Sequence, residues 1–185
     1  MQNKNLSLNN TIMTLEKNLF TMNISPHTGN IFDLGADAYK LGADRLVTVL
    51  MKNTETNEML INSVVHLYRQ FLEYKLKETI RFMNIAFYNR DETPAYHRLE
   101  ILLKNFIEIY EKANDNLIFG TQNIGFELMS NVVTEFATID KMLLYAECGE
   151  NAENIEVDVI LMKNNIKKVA NFFNSILEKI QISDC

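Results

Sequence analysis

The stretch from Asn57 to Tyr88 constrains the fold more than any other part of the chain. Ile61, Val64, Val65, Tyr68, Phe71, Leu72, Leu76, Ile80, Met83 and Phe87 recur along it at helical spacings of three and four. That period places one apolar stripe on a single long helix, which is stable only if the stripe is buried against other elements. The rest of the chain supplies suitable partners. A helix is predicted over about Ile31 to Lys52, carried by Leu34, Ala38, Leu41 and Leu46. Gly35 and Gly42 fall near one face of it, which suggests a close approach to a neighbouring helix or simply tolerated small residues.

Thr93-Pro94 reads as the next helix start, since Thr is a good N-cap and Pro suits the first helical position. Leu99, Leu102, Leu103, Phe106, Ile107 and Tyr110 continue that helix to about Ala113, and Asn114-Asp115-Asn116 stops it. A fourth helix is predicted over about Gln122 to Ile139 and a last one over about Val157 to Ile182, with an acidic loop at residues 145–154 between them. With only 6 Gly and 2 Pro there are few tight turns to connect short strands. The expected fold is all-α: an antiparallel bundle of four to five long helices forming one domain over residues 29–185. Residues 1–28 precede it. A short helix over Thr14–Phe20 and a turn over Ser25–Gly29 are the only features they suggest.

The formal net charge of −6 argues against general nucleic-acid binding, which needs local cationic charge. The N-terminus lacks the apolar core of a signal peptide, and no run of about 18 apolar residues could span a membrane. A cytoplasmic protein is therefore expected. Its two cysteines, Cys148 and Cys185, are expected to be free thiols, and no Cys/His cluster suggests zinc. No Glu-x-x-His pair is available for a di-metal bundle centre, and no Gly-rich phosphate loop or GxSxG turn is present. No cofactor is expected.

Three segments carry a family resemblance. Leu67 to Glu78 contains Tyr68-Arg69 and, four residues after the arginine, Glu73; His97 to Leu103 reads HRLEILL; and Val133 to Asp140 contains Glu135-Phe136 and Ile139-Asp140. Their order and spacing over about residues 57–182 resemble the YRxxxE, HxLxxLL and EFxxID segments of uncharacterised bacterial members of the HEPN superfamily. The resemblance implies an antiparallel helical bundle, often a homodimer, working in toxin–antitoxin or anti-phage systems. Many such domains are metal-independent ribonucleases that use an Arg, four to six residues, then a His. Others lack the pair and act as binding or regulatory modules.

In this chain Arg90 and His97 have that spacing, although the pair sits between the second and third long helices rather than on a late one. Leu144-Tyr145-Ala146-Glu147-Cys148 also holds no arginine where the relatives tend to have one. His97 would act as the base, and Arg90 would stabilise charge on the phosphate in the cleavage transition state. The alternative is a histidine that hydrogen-bonds to a neighbouring helix, beside a solvated arginine. Arg69, Glu73 and Lys77 form a charged row at i, i+4 and i+8. Arg69 and Glu73 either join His97 in a buried polar network or make a surface pair contributing only about 0.3–0.5 kcal/mol. His66, three residues before Arg69, is expected to be a packing or surface residue. Two functions stay open: an interaction or regulatory module with a protein partner, and a ribonuclease acting on RNA.

Overall fold

A computed structural model describes residues 31–52, 58–115, 123–147 and 156–183. Five α-helices account for most of them: α1 (Ile31–Lys52), α2 (Glu58–Tyr88), α3 (Leu99–Asp115), α4 (Asn123–Glu147) and α5 (Val159–Ser183). The all-α expectation holds across the described residues. The features suggested within residues 1–28, the polar link at 53–57, and both cysteines lie outside them.

The α1–α2, α3–α4 and α4–α5 pairs each run antiparallel. Along the α1–α2 pair, Gly35 meets Tyr74 and Gly42 meets Leu67, so rising numbers on one helix face falling numbers on the other. A Cβ on Gly35 would lie 3.1 Å from the Tyr74 ring, so this glycine does allow a close approach; at Gly42 the corresponding contact, 3.5 Å to Leu67, is ordinary. α4 runs back along α3, with Tyr110 stacked on Phe126 at one end and Lys141 bonded to Glu100 at the other. α5 then returns along α4. Phe71, Leu72, Phe106, Val133 and Phe173, from four helices, are fully buried in one core. The rings of Phe106 and Phe173 meet edge-on with centroids 5.8 Å apart, a favoured aromatic geometry.

Local chemistry explains most helix ends. α2 closes on Asn89, which adopts φ 52°, a left-handed conformation that Asn tolerates better than most residues. The Asn89 N–H donates to the Ile85 carbonyl at 3.0 Å, and the Arg90 N–H to the Asn84 carbonyl at 3.2 Å. α5 starts on Asp158, whose Oδ1 accepts the backbone N–H groups of Ile160 and Leu161 at 3.0 and 2.9 Å, a standard N-cap arrangement. α4 runs two turns beyond its expected end at Ile139, since neither Gly nor Pro intervenes before Gly149.

The start of α3 corrects the sequence reading. Thr93-Pro94 does not begin a helix. Residues 89–98 form a non-helical connector, and Arg98 accepts the first helical bonds, from Ile101 and Leu102 at 3.1 Å each. Contacts to α2 hold the connector in place. Arg81 grips Asp91 with two bonds of 2.5 and 2.9 Å, Asn84 Nδ2 donates to the Glu92 carbonyl at 3.4 Å, and Arg69 Nη2 donates to the His97 carbonyl at 2.6 Å. Pro94 is buried in this connector. Its fixed φ fits an extended chain as well as a first helical turn, so contacts distant in sequence decide between the two.

Candidate functional site

The row on α2 becomes the centre of a polar cluster. Arg69, Glu73 and Lys77 lie one turn apart on a face covered by the connector and approached by α4. The three nitrogens of the Arg69 guanidinium reach separate acceptors: Nε donates to Asp140 Oδ2 on α4 at 2.9 Å, Nη1 to Glu73 Oε2, and Nη2 to the His97 carbonyl. Glu73 is buried, and its Oε1 accepts from Lys77 Nζ at 2.9 Å and pairs with His97 Nδ1 at 2.7 Å. Burial alone would push the Glu73 carboxyl up. The hydrogen bonds from Lys77, His97 and Arg69 outweigh it and hold the group below the usual carboxylate range.

The same geometry assigns the imidazole nitrogens. Lys77 Nζ lies 3.3 Å from His97 Nδ1, but an ammonium only donates. Glu73 Oε1 is the shared acceptor of both, so Nδ1 carries a proton and Nε2 is the nitrogen left to solvent. The His97 side chain is 76% exposed. A histidine whose Nδ1 is held by a carboxylate and whose other nitrogen is open has the geometry of an oriented base.

The structure thus brings Arg69, Glu73 and His97 together. It places His97 in the non-helical connector just before α3. Within one chain Arg90 is elsewhere. Its backbone is tied to Asn84, eleven residues beyond Glu73 on α2, which corresponds to about 16 Å of helix rise; its side chain is exposed. His66 is exposed as well.

Sequence reasoning missed the role of Asp140. It ends the Glu135–Asp140 segment, yet nothing local shows that it meets Arg69, 71 residues earlier. The three segments named above contribute Arg69 and Glu73, His97, and Asp140 to this one cluster. Among the described residues no group of three or more His, Cys, Asp or Glu side chains is placed to hold a metal ion, and no helix is long and apolar enough to cross a membrane.

A tyrosine–carboxylate contact ties α2 to α1. Tyr68 Oη donates to Asp44 Oδ1 at 2.6 Å, while Lys40 pairs with Asp44 Oδ2 at 2.7 Å. Burial and the adjacent Asp44 carboxylate push the Tyr68 hydroxyl well above the ordinary tyrosine value. It therefore stays a hydrogen-bond donor and contributes packing rather than acid–base chemistry.

Comparison with protein-family models, curated proteins and solved structures gives no match.

Proposed function

We propose that this protein is a HEPN-like helical module that works by binding a protein partner in a toxin–antitoxin or anti-phage defence setting, as a homodimer and without cleaving RNA. The observation that carries this reading is the commitment of Arg69. Each of its nitrogens is bonded within the protein, and the two cations of the cluster, Arg69 and Lys77, are matched by two carboxylates, Glu73 and Asp140. A site for a scissile phosphate needs cationic groups with bonds to spare. Here the bonds join α2, the connector and α4, which suits a clamp on the bundle. The convergence of all three HEPN-like segments on that clamp supports the resemblance and gives those residue types a structural reason.

A second reading has one observation in its favour: His97, with Nδ1 on Glu73 and an exposed ring, is built like a general base. Under that reading the protein is a metal-independent ribonuclease, and Arg90 reaches His97 from the other subunit of a homodimer. RNA cleavage in EDTA, by wild type and by His97→Ala, tests the choice. The binding-module reading expects no cleavage by either protein. Cleavage by the wild type that disappears in His97→Ala would overturn it.

A further inference from the structure

The cleft between α4 and the start of α5 differs in chemistry from the polar cluster. It has a volume of about 580 Å³, within the range of ligand-binding clefts. Phe136, Ile139 and Met142 of α4 and Leu161 of α5 give it an apolar floor. Leu161 is 56% exposed and Met142 38% exposed, so the floor opens outward as a trough along two helices. Glu135, Glu156 and Asp158 stand along it, and among the described residues no lysine or arginine lines it. Asp158 spends one oxygen capping α5, while Glu135 and Glu156 are exposed.

From this geometry we infer that the α4–α5 trough is the docking surface for a basic amphipathic helix of a protein partner. This assignment rests on the binding-module reading and names its surface. An apolar trough between two helices accepts the apolar face of a third. Met142 and Met162, both at the trough, are unbranched and can adapt to an irregular apolar face. Carboxylates along the trough select lysine or arginine flanks on the incoming helix and speed its encounter with an acidic protein. The same carboxylates disfavour a second copy in this position, because two such troughs would face each other acid to acid.

The probe is a fluorescently labelled leucine–lysine helical peptide of roughly four turns, with a leucine–glutamate peptide of the same pattern as its counterpart. Polarisation is read against the wild type, Leu161→Asn, a Glu135→Lys/Glu156→Lys double variant, and an Asp37→Lys/Glu178→Lys double variant. The last makes the same change in net charge at exposed positions that do not line the trough. The expected result is saturable binding of the leucine–lysine peptide. It weakens about tenfold in Leu161→Asn and in the trough charge reversal, but stays within about twofold of wild type in the control. The trough charge reversal should also gain affinity for the leucine–glutamate peptide, a switch that misfolding would not produce. Equal losses in both charge-reversal variants would mean attraction by net charge alone and would overturn the assignment. So would an unchanged affinity in Leu161→Asn, or sedimentation showing a homodimer that Leu161→Asn disperses. Failure here with no RNA cleavage removes the trough and leaves the binding-module reading. Cleavage lost in His97→Ala removes that reading whatever the peptides do.

Discussion

α4 carries carboxylates into two regions that treat them in opposite ways. Asp140 meets Arg69, within a cluster where every cation has a carboxylate and the shared acceptor, Glu73, is buried. Glu135, little more than one turn earlier, stands at a trough with no cation among its described lining residues. Matched, enclosed charges fix how elements sit against one another, and removing one member leaves its partners desolvated and unpaired. Exposed like charges beside apolar surface do little for stability but remain available to an incoming partner. Acidic residues on a single helix can therefore serve architecture on one side and recognition on the other, and burial and pairing distinguish the two uses.

Glu73→Ala should separate the regions most strongly. It strips the shared acceptor from Arg69, Lys77 and His97 and should cost about 3 kcal/mol in urea unfolding. A cost below about 1 kcal/mol would make the cluster no different from a solvated pair. pH dependence should follow the same group. The folded-state pKa of Glu73 lies below its ordinary value of 4.5, so its contribution is fully present above that value and is lost as pH falls through the folded pKa. The stability difference between wild type and Glu73→Gln should therefore be full at neutral pH and shrink progressively below about pH 4.5. A difference that grew on acidification would contradict the sign.

His97→Ala should cost less, roughly 0.5–1.5 kcal/mol, because only Nδ1 is engaged and the ring is mostly in water. At the trough, Leu161→Asn and Glu135→Lys should each shift unfolding by no more than about 0.5 kcal/mol. A larger loss at either position would mean that the trough belongs to the packed core.

The helices were legible because apolar periodicity is local. Ile61 through Phe87 announce α2, and the expected spans of α1 and α5 agree with the observed ones to within two residues, although the buried face of α1 is carried by Ala36, Ala43 and Val47 while Ala38 and Leu41 of its expected stripe are exposed. The row Arg69–Glu73–Lys77 was legible for the same reason. What sequence reasoning missed depends on contacts far apart in the chain. Thr93-Pro94 has good helix-start chemistry, but the grip of Arg81 on Asp91 and of Arg69 on the His97 carbonyl extends the chain and delays α3 to Leu99. Asp140 was visible as a residue of a motif but not as the partner of Arg69. The trough was hidden because it combines Glu135 and Phe136 of α4 with Glu156 and Leu161, residues whose periodicity says only that each lies on or beside a helix.

Arg69 commits its hydrogen bonds to joining α2, the connector and α4. A double-mutant cycle between Arg69→Ala and Asp140→Ala, read by urea unfolding of the two single variants and the double variant, measures that commitment across the helix pair. A favourable coupling of at least about 1 kcal/mol is expected. Losses that simply add, to within about 0.3 kcal/mol, would mean that the two side chains do not depend on one another and would contradict the clamp.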